Sequence, residues 1–70
     1  MPQYMIVYKQ IVFRAACLHE EMHSVFFEEK SDAVDFFVDA WNLHPTVVHI
    51  ERYEYTGNEY VMLDKKHRDL

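Results

Sequence analysis

Ser31-Asp32-Ala33-Val34-Asp35-Phe36-Phe37-Val38-Asp39-Ala40-Trp41-Asn42 decides how this chain is built. At about 100° per residue, Ala33, Val34, Phe37, Val38, Ala40 and Trp41 fall on one broad arc, and Asp32, Asp35, Asp39 and Asn42 fall opposite it, the pattern of an amphipathic helix. Ser31 or Asp32 is placed to act as N-cap, because either side chain accepts from a free N–H one turn in. Asp32 and Asp35 also suit the positive end of the helix dipole. His44-Pro45 stops the helix, since the residue before a proline is pushed out of the α region. Phe36 stands at the edge of the arc beside Asp32 and Asp39. It flanks the core in one reading and anchors a partner in the other, because half-exposed aromatics are enriched at interfaces.

Everything around this helix reads as strand. Tyr4 to Phe13 is rich in β-branched and aromatic residues, with Met5, Val7, Ile11 and Phe13 on one face and Tyr4, Ile6, Tyr8 and Val12 on the other. Two apolar faces mark a central strand. Leu18, Met22 and Val25 have the spacing of a short helix, but Arg14 to Met22, without Gly or Pro, reads rather as a long hairpin connection into a strand at His23–Glu29. Thr46 to Tyr55 is the clearest strand, with Val48 and Ile50 facing one way and Val47, His49, Glu51, Tyr53 and Tyr55 the other. Thr56-Gly57-Asn58 is a hairpin turn, the lone glycine sitting where positive φ is wanted. Glu59 to Leu63 returns as the last strand.

The order is therefore ββαββ: an α+β domain over residues 1–64, with one helix across a four-stranded antiparallel sheet. The strand order 2-1-3-4 keeps every neighbour antiparallel. Residues 65–70 are expected to form a short, frayed basic tail. One short helix covers only one sheet face. The other, expected to carry Tyr8, His49, Tyr53 and Tyr55, calls for a partner, and a homodimer through that face or an edge strand is expected.

Composition narrows the functional classes. Cys17 is the single cysteine, so no internal disulfide forms. No signal-peptide pattern and no apolar run of membrane-spanning length is present, which points to a cytoplasmic setting and no membrane partner. The net charge is −5, distributed as −7 over residues 1–64 and +2 over the last six. An acidic body disfavours direct binding to nucleic acid, whose phosphates reward positive charge.

His19-Glu20-Glu21-Met22-His23 matches H-E-x-x-H, the zinc-peptidase pattern in which two His one helical turn apart hold a metal and the Glu activates water. That chemistry needs a helix, a third ligand and a cleft, for which seventy residues leave little room. Cys17 lacks a CxxC partner and reads as a structural thiol. The other constellation is acidic: Asp32, Asp35 and Asp39 line the outer helix face and Glu28-Glu29 precede them. Successive carboxylates there lie about 5 to 6 Å apart, close to phosphate spacing along a nucleic-acid strand. In size and acidity the chain is similar to the DNA-mimic and host-takeover inhibitors made by phages, a likeness of composition that carries no motif. The reading is a non-enzymatic, cofactor-free module that binds and modulates a protein with a basic surface through Glu28, Glu29, Asp32, Asp35, Phe36 and Asp39. The alternatives are a metal-binding protein using His19 and His23, and a structural assembly subunit.

Overall fold

The computed structural model describes residues 1–69. Its elements are β1 (Tyr4–Arg14), β2 (Cys17–Phe27), α1 (Lys30–Leu43), β3 (Val47–Tyr55) and β4 (Tyr60–His67). The strands form a single antiparallel sheet in the order β2-β1-β3-β4. This is the α+β arrangement, and the strand order, that the hydrophobic pattern implies.

The core lies between α1 and the two central strands. Ile6, Ala33, Phe37, Ala40, Val47 and Ile50 form one buried cluster, flanked by Tyr4, Tyr8, Phe27, Phe36 and Trp41. Ala33, Phe37 and Ala40 define the centre of the helix's buried stripe. Phe36 and Trp41 fall about 70° to either side of that centre and Val38 about 130° away. Phe36 accordingly packs between Tyr8 and Phe27, with ring centroids 5.9 and 5.5 Å away, whereas Val38, placed on the apolar arc by the sequence reading, is exposed. Helix burial thus follows angle rather than hydrophobicity alone.

Arg14 to Met22 is not a long connection: β1 and β2 pair without interruption from Tyr4↔Phe27 to Arg14↔Cys17 and are joined by Ala15-Ala16 alone. Both alanines have positive φ, 51° and 63°, as the two central residues of a tight hairpin turn require. The helix begins at Lys30, one residue before the expected cap. Glu29 holds the N-cap position without a side-chain capping bond, so Ser31 and Asp32 lie inside the first turn. At the other end Leu43 is the last helical residue and His44 the cap, where His44-Pro45 sets the stop.

The sheet faces also differ from strict alternation. The β1–β3 register slips between Lys9↔His49 and Gln10↔Val47. A bulge of this kind reverses the sequence parity beyond it, so Val47 joins Ile50 in the core. Val48 is buried outside that cluster, beside Lys9 and Ile11 on the helix-free side. Tyr8 was expected on the helix-free face and instead lies beneath α1 against Phe36. Lys65, Lys66 and His67, expected in a frayed tail, belong to β4. Arg68, just beyond β4, is also fastened: its N–H donates to the Val48 carbonyl at 2.9 Å, its Nη2 donates to the Trp41 carbonyl at 2.8 Å, and its guanidinium lies 3.7 Å from the Trp41 ring centre. Of the expected tail, Leu70 lies outside the described residues.

Candidate functional site

The helix pattern that buries Ala33, Phe37 and Ala40 necessarily turns Asp32, Asp35 and Asp39 outward, and all three are exposed. They climb the helix in steps of about 4.5 and 6 Å along the axis. Glu28 and Glu29, also exposed, continue the acidic line back from the first turn. Among the described residues none of these five carboxylates takes part in an ion pair. The ridge is therefore uncompensated charge held on a rigid element.

Beside the C-terminal half of α1 runs an open groove of about 360 Å³ that includes Asp39, Phe36, Tyr8, Gln10, His44 and Val47 in its lining. Its walls join two aromatic rings to a carboxylate. A lysine or arginine side chain suits such a groove, its stem along the rings and its charge at Asp39. Phe36 thus reaches the candidate surface as part of the groove lining and not as a protruding anchor. Gln10 carries no signal in the sequence, and His44 stands out there as part of the helix stop and not as part of this surface. Only the position of β1 beneath the helix brings them there, and no local pattern announces it.

The histidine motif has a different geometry from the one its letters suggest. His19 and His23 both lie in β2, a strand. On extended backbone, residues four apart on one face are separated by about 13 Å, whereas a shared zinc ion needs both nitrogens at about 2.1 Å. His23 instead stacks on Tyr8, centroids 5.1 Å apart, with its Nε2 3.3 Å from Glu21 Oε1. Glu21 also meets Arg14 at 2.8 Å. Among the described residues no group of three or more His, Cys, Asp or Glu is arranged to hold a metal ion. Cys17 is exposed, not the buried thiol that its sequence context suggests.

On the helix-free face a polar network crosses β3 and β4. Glu51 accepts from His49 Nε2 at 3.1 Å and from the Tyr53 hydroxyl at 2.7 Å. The His49 bond, then the Tyr53 bond, hold the Glu51 carboxyl below its ordinary value of 4.5, and Lys65 adds a smaller attraction. The same bond to Glu51, followed by partial burial, raises the Tyr53 phenol above 10.0. His49 Nδ1 lies 3.0 Å from His67 Nδ1, and His67 Nε2 lies 3.2 Å from Asp69. Tyr55 packs edge-on to Tyr60 and donates to the Gly57 carbonyl. His49, Tyr53 and Tyr55 are therefore half-buried and already engaged within the chain.

Four strongly exposed apolar side chains lie elsewhere on this face: Phe13 and Leu18 at 71 %, Met22 at 65 % and Phe26 at 50 %. The sequence reading missed them as a group because it left residues 14–22 out of the sheet. Among the described residues no helix is long and apolar enough to cross a membrane. Comparison with protein-family models, with curated proteins and with solved structures found no match.

Proposed function

We propose that this protein is a non-enzymatic module that docks its acidic helix ridge on a basic, nucleic-acid-contacting surface of another protein. One observation carries the reading: Glu28, Glu29, Asp32, Asp35 and Asp39 are exposed along one line and none is neutralised by an ion pair among the described residues. Charges left unpaired in a fixed row raise the local potential and steer an oppositely charged partner. The regular rise of the helix gives the row a spacing comparable to that of phosphates, so the surface it fits is one shaped for nucleic acid. The aromatic groove ending at Asp39 adds a place for one basic side chain of the partner.

The test is capture of partners on immobilised protein, with an Asp32→Lys/Asp35→Lys/Asp39→Lys variant in parallel. Asp35 and Asp39 are exposed positions that tolerate substitution within about 0.5 kcal/mol each, and Asp32→Lys forfeits a further roughly 0.3–1 kcal/mol of helix-dipole interaction, so circular dichroism on the variant accompanies the capture. The expected partners are basic nucleic-acid-binding proteins, retained at about 50 mM salt, released towards about 500 mM as screening shortens the Debye length, and absent from the triple variant. Retention indifferent to salt, or equal on the variant, contradicts the proposal.

A further inference from the structure

We infer that β2 is a self-pairing edge, and that two copies of this chain join antiparallel through it, centred on Met22, into one continuous eight-stranded sheet. The inference does not rest on the acidic ridge, which lies on α1 and the two residues before it.

The two edges of the sheet are unlike. β4 carries Lys65 and Lys66 and a register break opposite Arg52/Tyr53, devices that discourage a further strand from pairing. β2 has neither Pro, Lys nor Arg, runs eleven residues, and is in unbroken register with β1 throughout. Its outward backbone groups follow from the turn. Arg14 and Cys17 flank the two-residue loop and so form a hydrogen-bonded pair with each other. The odd-numbered residues of β2 therefore bond to β1, and Leu18, Glu20, Met22, Ser24 and Phe26 present N–H and C=O to the open edge. Those same five residues place their side chains on the helix-free face, where Leu18, Met22 and Phe26 are among the most exposed apolar groups of the chain.

The residues of β2 then choose the register. Pairing two copies about Met22 sets all eleven residues opposite partners. Met22 meets Met22 of the second copy, Leu18 meets Phe26, and Glu20 meets Ser24, in hydrogen-bonded pairs. Glu21 meets His23 twice, in the closer non-hydrogen-bonded positions. Opposite-charge and apolar cross-strand pairs both favour a ladder, and like charges directly opposite disfavour it. Moving the centre to Glu21 or Glu20 puts that carboxylate against its own copy. Moving it to His23 sets Glu20 against Phe26 and Glu21 against Val25. Moving it to Ser24 sets Glu21 against Phe27. Of these centres only Met22 sets Leu18 against Phe26 and Glu21 against His23 while leaving no carboxylate opposite its own copy or an apolar residue; His19 faces Val25. The element's midpoint, its charge pattern and its apolar pattern thus share one two-fold centre.

The core cluster unites α1 with β1 and β3 and takes no buried residue from β2. The second copy extends the sheet sideways from that edge. The ladder supplies roughly ten inter-chain backbone bonds to groups that otherwise face water.

Sedimentation at micromolar concentration, with cysteine cross-linking to fix the register, tests this. The wild-type chain is expected to sediment at twice its monomer mass. In a Cys17→Ser background, Met22→Cys is expected to form an inter-chain disulfide under mild oxidation, because a hydrogen-bonded pair holds Cα atoms about 5.5 Å apart, within disulfide reach. Leu18→Cys and Phe26→Cys chains are expected to cross-link when mixed and not when oxidised separately. The wild-type Cys17, about 34 Å along the ladder from its copy, is expected to stay a free thiol. Met22→Pro, which removes an edge N–H without touching a β1 bond, is expected to sediment as folded monomer. A wild-type monomer throughout the concentration range overturns the inference. So does a dimer in which Met22→Cys fails to cross-link, or one dissociated by Tyr53→Glu and not by Met22→Pro, which assigns the contact to the sheet face. Capture of a foreign strand at this edge by a chain that stays monomeric overturns it as well.

Discussion

Phe37 and Trp41 sit one helical turn apart, and the structure ranks them against expectation from size. Trp41 is the larger and reads from sequence as the deepest anchor, yet Phe37 is only 3 % exposed and Trp41 is half-buried at the margin. Position relative to the buried stripe outweighs side-chain area. Phe37→Ala is expected to cost about 3–5 kcal/mol, as large aromatic truncations in cores do, and Trp41→Ala less, in urea denaturation followed by circular dichroism. Equal losses would show that the core is centred nearer Trp41. Glu51 gives a second residue-level expectation. Its pKa is lowered in the fold by His49 and Tyr53, so its contribution is present above the ordinary value of 4.5 and is lost as pH falls through the lowered value. Tyr53 is raised by the same bond. Its contribution is complete below pH 10.0 and disappears as pH rises through the raised value. Glu51→Gln should therefore flatten the acid limb of the stability profile and leave its neutral plateau the higher-lying part. An acid limb identical to wild type would assign it to other carboxylates.

Among the elements, the β1–β2 hairpin and the helix C-terminus illustrate two ways in which a chain departs from its local signals. Ala15 and Ala16 both adopt left-handed φ, which costs an L-residue roughly 1–2 kcal/mol relative to its usual regions. Ala15→Asn with Ala16→Gly should stabilise the domain by about 1 kcal/mol or more, read as a rise in melting temperature. No change would mean that the turn relaxes. This same turn explains why β2 was half-hidden in the sequence: without Asn or Gly between the strands, Arg14 to Met22 offers no break, and its charged His-Glu-Glu run imitates a loop. The strands whose faces are both apolar, and the helix with its aspartates opposed to its apolar arc, were legible because burial imposes period on composition. The bulge at Gln10 was not, since it leaves no composition signal and shows itself only in the switch between Val47 and Val48. Arg68 is the second case. The last turn of α1 holds no basic residue, and the cation that suits its negative end arrives from beyond β4 to bond the Trp41 carbonyl and cover its ring. Arg68→Ala should cost roughly 1–2 kcal/mol, the sum of a hydrogen bond and a cation–π contact. A variant as stable as wild type would show these Arg68 contacts to be dispensable.

At the scale of the molecule, two surfaces are set apart by the fold. The helix keeps its charge on one outer line, and the sheet keeps one edge unprotected, so partner docking on the ridge and self-pairing along β2 use different elements of the same scaffold, the ridge lying on the flank of α1 that carries Phe36 over Phe27 of β2. The candidate ridge was legible in the sequence because solvent-facing helix positions follow directly from the buried ones. The groove beside it was not, because Tyr8, Gln10 and His44 meet there only through tertiary packing. The central functional claim is that the ridge occupies a surface made for nucleic acid, and competition measures it most directly. A basic partner captured on the ridge, bound to its own labelled nucleic acid, should be displaced by increasing wild-type protein, and the equally folded Asp32→Lys/Asp35→Lys/Asp39→Lys variant should leave that complex intact. Wild-type protein that binds the partner without displacing its nucleic acid, or a triple variant that displaces it as well as wild type does, would contradict the account.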